Sequence, residues 1–179
     1  MKQSGTTLLE LIVVLAVSAI LLIIAIPGFA SLSSNSRLTS ATNELVSALH
    51  LARSEAIKRN SRTMLCKSEN GLACSDSGGW HQGWMVFHDA NNNAALDAGE
   101  EVILYQAALT AEIRLAGNEQ VSRYVSYSSI GATQMVSGAF QAGTLTVCQY
   151  SSVENSGRKI IISSTGRVRT TKSVLASCF

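Results

Sequence analysis

The sequence predicts an α+β fold, in which one long N-terminal helix packs on an antiparallel β-sheet head. Three observations support this class. An almost unbroken apolar run covers residues 11–26, and a segment with helical apolar spacing continues to about residue 60. From residue 62 onward, short segments typical of strands are separated by glycines or polar clusters. A helix followed by a run of strands favours the α+β class.

The first half of the predicted helix, residues 6–30, is long enough to cross a membrane. The segment from Leu11 to Phe29 would span roughly 28 Å at about 1.5 Å per residue. Lys2 is the only charge before Glu10, which favours a cytoplasmic N-terminus. Glu10 lies at the edge of the apolar run, where an ionisable group is costly and is therefore a functional candidate. The alternative is that Glu10 simply marks the interfacial end of the anchor.

The second half of the helix, residues 31–61, is amphipathic. Its apolar residues recur at helical spacing and predict a stripe that packs on the sheet: Leu38, Ala41, Leu45, Ala48, Leu49, Ala52 and Ala56. Pro27-Gly28 predicts a bend within the helix, because proline removes a backbone donor and clashes with the preceding turn.

The remainder of the chain, residues 62–179, predicts the sheet region. Strands are expected at residues 62–67, 83–88, 102–106, 112–115, 124–128, 144–149, 159–163 and 168–171. In the second of these, Trp84 and Val86 alternate with Met85 and Phe87, so the two pairs should lie on opposite faces.

The composition indicates one domain plus an anchor, and it argues against an enzyme. The chain has 179 residues and a net charge of +2, but the charges are unevenly placed. Residues 89–119 hold six acids and one base, whereas after Glu154 there are five bases and no acid. No nucleophile elbow, zinc-protease motif or phosphate-binding glycine loop is present, and the three histidines are scattered. No small-molecule substrate is therefore expected.

Four cysteines, Cys66, Cys74, Cys148 and Cys178, predict two disulfides in an exported domain. Three pairings are open. We favour Cys66–Cys74, which closes a short Gly/Ser-rich loop, and Cys148–Cys178, which ties the C-terminal tail to a central strand. The rival is a zinc site formed by Cys66 and Cys74 with His81 and His88, but no Cys-x-x-Cys spacing supports it.

The loop at residues 89–100 has the oxygen pattern of an EF-hand-like calcium site. Side-chain ligands would be Asp89, Asn91, Asn93, Asp97 and Glu100, together with the carbonyl of Ala95. The glycine usual at the sixth position is Ala94 here, and a strand rather than a second helix follows. The alternative is an Asx-rich turn stabilised by hydrogen bonds from the backbone to side chains. Apart from calcium at this loop, no cofactor is expected.

The N-terminus resembles the leader of type IV pilins and type II secretion pseudopilins. The resemblance rests on Lys2, on Gly5 followed by Thr6-Thr7-Leu8-Leu9-Glu10, on the apolar run and on Pro27. It implies that residues 1–5 are a leader, that a prepilin peptidase cleaves between Gly5 and Thr6, and that Thr6 is then N-methylated. The family usually has phenylalanine at the position of Thr6.

The same resemblance implies a type IV pilin-like architecture and a set of partners. Residues 6–30 would first anchor the chain in the inner membrane and later pack with other pilins in a pilus or pseudopilus filament. Residues 31–179 would form the periplasmic head. Glu10 would pair with the free amine at Thr6 of a neighbouring subunit, so that a buried carboxylate gains a partner.

Further segments resemble the branch of minor pilins and pseudopilins of the GspH, FimT and FimU type. They are the run from Ala52 to Asn60, the strand that contains Gly83-Trp84-Met85-Val86-Phe87, and the loop at 89–100. Gly166-Arg167-Val168-Arg169 resembles the Gly-Arg-x-Arg motif of FimT-like proteins, which is linked to DNA binding in natural transformation. The resemblance therefore implies a FimT-like minor pilin that binds DNA without sequence preference during natural transformation. The alternatives are a FimU-like structural minor pilin that primes pilus assembly and a type II secretion pseudopilin H, both without DNA binding.

The C-terminal bases suit phosphate recognition on physical grounds as well. Arg167 and Arg169 are two residues apart and would point to the same face of a strand, while Arg158, Lys159 and Lys172 would extend the patch. Guanidinium groups match phosphate geometry, and phosphate contacts dominate sequence-independent affinity for double-stranded DNA. A second cluster is expected at Lys58, Arg59 and Arg62. The alternative is a solvated basic edge that opposes strand aggregation.

Overall fold

The computed structural model describes residues 7–149, 156–175 and 177–178, except for the side chains at positions 24, 27, 30 and 31. The chain divides into two compact units, Met1–Arg37 and Leu38–Phe179. The predicted cleavage site, Gly5 and Thr6, lies outside the described residues. The first element is helix α1 (Leu8–Arg59), which includes residues of both units, and the strands follow it.

In the first unit, Thr7 caps the start of α1. The backbone N–H of Glu10 donates to the Thr7 hydroxyl at 3.3 Å, and the N–H of Leu11 donates to the Thr7 carbonyl at 3.2 Å. Thr7 and Glu10 have the spacing of a capping box, which satisfies amide groups that the helix cannot pair internally. Glu10 therefore sits in the first turn of the helix, where a carboxylate is also favoured by the helix dipole.

The described apolar side chains of the first unit between Leu8 and Leu32 are exposed, for example Leu15, Leu22 and Phe29. Among the described parts of the chain, no helix combines the length and apolar character that crossing a membrane requires. Helix α1 continues through positions 27 and 28 without a break. The bend at Pro27-Gly28 and the anchoring role stay predictions.

In the second unit, α1 ends in a Schellman motif. Asn60 adopts a left-handed conformation with φ of 50°. Its N–H donates to the Ile57 carbonyl at 3.2 Å, and the N–H of Ser61 donates to the Ala56 carbonyl at 3.1 Å. These two bonds satisfy carbonyls at the helix end and turn the chain into the first strand.

The strands of the second unit are β1 (Thr63–Lys67), β2 (Gly83–His88), β3 (Val102–Ala107), β4 (Ile113–Gly117), β5 (Tyr124–Tyr127), β6 (Gly143–Gln149), β7 (Ser156–Ile162) and β8 (Val168–Val174). They form two four-stranded antiparallel sheets, in the orders β3-β2-β1-β5 and β4-β6-β7-β8. Each predicted strand is present, and the α+β class is confirmed. The sequence pattern predicted one sheet, because alternation shows a strand but not its partners.

The core lies between the helix and both sheets. The predicted helix stripe is buried throughout, from Leu38 to Ala56. It packs in one cluster with Leu65, Trp84, Val86, Val125 and Tyr127 of the first sheet and with Ile113, Leu115, Leu145, Val147, Ile160 and Ile162 of the second. The stripe therefore holds the two sheets together through burial of apolar surface.

The opposite face of the first sheet has a smaller core. Met64, Cys66, Met85 and Phe87 form a second cluster, and Cys74, Leu96 and Tyr124 pack against it. This confirms the predicted alternation on β2, with Trp84 and Val86 toward the helix and Met85 and Phe87 away from it. The loops after β1 and β2 are thus fixed over this face.

Candidate functional site

All five predicted DNA-contacting residues lie on one hairpin. Arg158 and Lys159 are on β7, Arg169 and Lys172 are on β8, and Arg167 directly precedes β8. In the register of the two strands, Arg158 lies opposite Lys172 and Ile161 opposite Arg169. The hairpin therefore brings together cations that are up to 14 residues apart in the chain.

The hairpin divides these cations between two faces instead of forming one patch. Alternation places Arg158 and Lys172 on the side of the buried Ile160, toward the helix. Arg158 there donates to the hydroxyl of Thr39 at 2.8 Å. Lys159, Arg169 and Arg167 share the opposite, outer side, because neighbouring residues on a strand point to opposite faces.

The charged side-chain groups of four of these residues make no hydrogen bond or ion pair with any other described residue: Lys159, Arg167, Arg169 and Lys172. Arg167, Arg169 and Lys172 are exposed and Lys159 is half-buried. In the described parts of this hairpin there is no acid to neutralise them. This group, called here the β7–β8 cations, has its donors available to an outside anion.

The turn that carries Arg167 is tightly closed. The N–H of Gly166 donates to the Ser163 carbonyl at 2.8 Å, and the N–H of Ser163 donates to the Arg167 carbonyl at 3.0 Å. Gly166 has φ of +78°, and a side chain there would overlap the Gly131 carbonyl oxygen. Only glycine suits this position, both for its conformation and for the close backbone approach.

The second basic cluster, at Lys58, Arg59 and Arg62, is occupied internally. Lys58 and Arg59 bind Glu55 at 3.1 and 2.8 Å, and Arg59 also binds Glu101 at 2.7 Å. These cations hold the pKa of the Glu55 carboxyl below its usual value, chiefly through the Arg59 hydrogen bond. Arg62 donates to Ser126 on β5 and to Gln134 and Met135 in the segment after β5. Carboxylates and carbonyls of the protein thus accept donors of this second cluster, and a role for it in DNA binding stays a prediction.

Both favoured disulfides are present, Cys66–Cys74 and Cys148–Cys178. The rival zinc site is thereby excluded, since oxidised cysteines supply no thiolate ligands. Among the described residues, no group of three or more His, Cys, Asp and Glu side chains is arranged to hold a metal ion.

The segment after the Cys66–Cys74 loop surrounds the ammonium group of Lys67 with backbone carbonyls. Lys67 is almost fully buried, and its ammonium donates to the carbonyls of Asp76, Ser77 and Gly78 at 3.0–3.4 Å. Burial lowers the pKa of Lys67. These bonds hold the segment after Cys74 against β1.

The loop at 89–100 is closed by its own hydrogen bonds. Buried Asp89 accepts from the N–H groups of Asn93 and Ala94 at 3.1 and 3.3 Å, and burial raises the pKa of its carboxyl. Asp97 accepts from the side-chain amides of Asn91 and Asn93, both at 2.7 Å, and these bonds lower its pKa. The two amides thus present N–H groups to the carboxylate. The arrangement supports the Asx-rich turn over the calcium site.

Calcium is therefore expected to leave the stability of the protein unchanged. At about 10 mM free Ca²⁺, a site with an extracellular-type Kd of about 1 mM would add about 1.4 kcal/mol. Such a site would raise the melting temperature by a few degrees in a chain of this size. The measurement is thermal unfolding with calcium against EDTA. A calcium-dependent rise that disappears in Asp97→Asn would contradict the Asx-turn assignment.

The fold and the N-terminus define the class to which the chain belongs. A family model of the prokaryotic N-terminal methylation motif matches residues 1–26. This motif begins a chain with one long helix, whose N-terminal part is apolar and exposed, and with an α+β head after it. Together these features define a pilin-class protein. The model of the family "Type II transport protein GspH" matches residues 41–166, so the chain belongs to the GspH family. Proteins of this class are structural subunits and not enzymes.

The fold is similar to that of two crystal structures of the type IV minor pilin FimU from Pseudomonas aeruginosa. One is 19% identical, with a TM-score of 0.58 over 83% of this chain and 99% of the FimU chain. The other is 20% identical, with a TM-score of 0.55 over 79% and 100%. At this identity the likeness establishes the fold. No curated protein matched the sequence.

The sequence did not predict the roles of Arg53 and Thr133, which bind the turn that carries Arg167. The Arg53 guanidinium donates to the carbonyls of Thr165 and Gly166, both at 3.2 Å. Thr133 donates through its N–H to the Ser164 carbonyl at 3.0 Å and through its hydroxyl to the Ser163 carbonyl at 2.9 Å. Arg53 is 113 residues from Gly166 in the chain, so no local pattern could have paired them. The sequence signal for Arg53 was limited to its being a basic residue beside the apolar stripe of α1.

Proposed function

We propose that this protein is a minor pilin that binds DNA without sequence preference while it is part of an envelope-spanning filament. The observation that carries the proposal is the group of β7–β8 cations. Other described bases, such as Arg59 and Arg62, are occupied by acids or carbonyls, whereas these four have no partner among the described residues. Exposed guanidinium and ammonium groups without partners are suited to a polyphosphate backbone.

The five predicted DNA-contacting residues are expected to contribute unequally to DNA affinity. Arg167 and Arg169 lie on one exposed side of the hairpin, with Lys159 beside them, and would carry the main phosphate contacts. Lys172 and Arg158 lie on the other side, and Arg158 is bound to Thr39, so we assign them a smaller role. The described residues between 156 and 175 include no aromatic side chain, so base stacking is not expected at the hairpin. Binding should depend on salt and not on sequence.

The proposal includes the processing and location that the N-terminal motif implies. Prepilin peptidase would remove residues 1–5 by cleavage between Gly5 and Thr6, and Thr6 would be methylated. Residues 6–30 would then anchor the subunit in the inner membrane, with residues 31–179 as a periplasmic head, and later form the filament core beside other pilins. Glu10, in the first helical turn, would pair with the amine of Thr6 in a neighbouring subunit.

Two alternatives remain within the same family. A FimU-like structural subunit would help to prime a pilus, and a type II secretion pseudopilin H would act in a short periplasmic filament. Neither requires DNA affinity, so the β7–β8 cations would then serve as a charged edge that prevents strand pairing between molecules. DNA binding separates both alternatives from the proposal.

Replacing Arg167 and Arg169 together by glutamine is expected to abolish DNA binding without unfolding the protein. The measurement is fluorescence anisotropy of the full chain in neutral detergent with random double-stranded DNA at two salt concentrations. In the parent protein, each phosphate contact should contribute about 0.9 to the salt slope, because a counterion is released. Both side chains are exposed and without partners, so the melting temperature should be unchanged.

A matched control removes two charges elsewhere. Lys58→Gln with Arg123→Gln has the same net charge as the test variant, and both side chains are exposed in surface ion pairs. The control should bind DNA nearly as the parent does. Unchanged affinity of the Arg167/Arg169 variant at low salt would refute the proposal and favour a purely structural subunit.

A further inference from the structure

The turn between β7 and β8 is held by residues from two other parts of the head. Arg53 of helix α1 binds the carbonyls of Thr165 and Gly166, and Thr133, in the connection between β5 and β6, binds those of Ser163 and Ser164. With the Arg167 carbonyl, which accepts from Ser163, five consecutive carbonyls of this turn are engaged. The turn is therefore fixed to the helix and to the core, not merely closed on itself.

Hairpin closure alone does not need these outside contacts. The bonds from Gly166 to Ser163 and from Ser163 to Arg167 already close the turn, and glycine supplies its left-handed residue. Arg53 adds a charged, two-pronged donor, which is stronger than a neutral hydrogen bond. Thr133 is fully buried, and its single hydroxyl hydrogen is shared between the carbonyls of Ser163 at 2.9 Å and Gln141 at 2.6 Å. The backbone next to Arg167 is thus hydrogen-bonded to two other parts of the fold.

We propose that Arg53 and Thr133 are positioning residues that pre-order the turn at residues 163–167, so that Arg167 is presented to a phosphate backbone at a low ordering cost. This inference rests on the proposed DNA binding. Ordering a flexible segment on association opposes binding, and a segment that is already ordered avoids that cost. The result is a short cationic edge that binds DNA more tightly than its few charges alone would allow.

Arg53 acts through the turn and not by touching the phosphate. Its two terminal nitrogens are directed at carbonyls of the turn, and the side chain is half-buried. A contact residue would release a counterion and add to the salt slope. A positioning residue changes affinity while leaving the slope unchanged, and its effect requires Arg167 to be present.

The test combines amide exchange with a double-mutant cycle on the full chain in neutral detergent. In Arg53→Gln, the amides of Gly166 and Arg167 should exchange about tenfold faster, because two charge-assisted bonds are lost. Affinity for random double-stranded DNA should fall about three- to tenfold with an unchanged salt slope. In the Arg167→Gln background, the additional Arg53→Gln change should have no effect on affinity.

Arg53→Lys tests whether charge alone is sufficient. A single ammonium cannot reproduce the two-pronged contact, so this variant should show the faster exchange and weaker binding of Arg53→Gln. Binding and exchange that stay at the parent level in Arg53→Lys would overturn the inference. It would also be overturned by unchanged exchange in Arg53→Gln, or by an equal loss of affinity with and without Arg167.

A second variant approaches the turn from its other anchor. Thr133→Val keeps the shape of the side chain and removes the hydroxyl shared by the carbonyls of Ser163 and Gln141. It should show the same faster exchange at Gly166. If the parent protein binds no DNA, the proposed function fails, yet the exchange measurements still decide whether Arg53 and Thr133 order the turn. Failure of the positioning role and failure of DNA binding therefore give different results.

Discussion

Removing the disulfide between Cys148 and Cys178 is expected to destabilise the head more than any single exposed substitution. The two cysteines are separated by 30 residues, and closing a loop of that length should contribute about 3.5 kcal/mol through the unfolded chain. The bond ties the C-terminal tail to β6, and Cys148 is fully buried. The variant is Cys148→Ala with Cys178→Ala, because serine would leave a hydroxyl buried without a partner.

The matched control is Cys66→Ala with Cys74→Ala. Its cysteines are separated by 8 residues, so the same chain-entropy relation gives about 2.5 kcal/mol. The loop is also held by the Lys67 ammonium on three carbonyls, which limits what its loss releases. Urea unfolding of the parent and both variants gives the comparison. A larger loss for the Cys66/Cys74 variant would show that strain or residual structure, not loop length, determines the effect.

The sequence could predict what depends on local pattern. The helix stripe from Leu38 to Ala56, the alternation at Trp84 and Met85, and the position of each strand follow from spacing that a short window reveals. The disulfides were also within reach, because four cysteines allow few pairings. These features depend on neighbouring residues and on simple counting.

What the sequence could not predict depends on pairing across long separations. The split into two sheets follows from which strands meet, and the division of the β7–β8 cations follows from the register that places Arg158 opposite Lys172. The partners of Arg59 and Arg62 lie outside any local pattern for the same reason, since Glu101 and Gln134 approach only in the folded chain. Arg53 was missed because its partners lie more than 100 residues away.

Gly166→Ala is expected to be costly for both stability and DNA binding. At φ of +78° an alanine loses about 1–2 kcal/mol relative to glycine, and its methyl group would also overlap the Gly131 carbonyl. Because that atom belongs to the backbone, the turn or the Gly131 loop must shift. The expected total is about 3 kcal/mol or more, measured by urea unfolding. Gly131 also lies close to the Arg53 side chain, which binds the turn. The shift should therefore disturb that contact and displace Arg167.

The matched control for this change is Gly138→Ala. Gly138 has a similar φ of +86°, but a methyl group there would meet nothing within 4 Å. It therefore isolates the conformational cost of about 1–2 kcal/mol and should leave DNA affinity unchanged. Equal losses of stability in the two variants would show that the Gly131 contact is relieved without cost. Full DNA affinity in a folded Gly166→Ala protein would mean that the position of the turn does not govern binding, even if the arginines do.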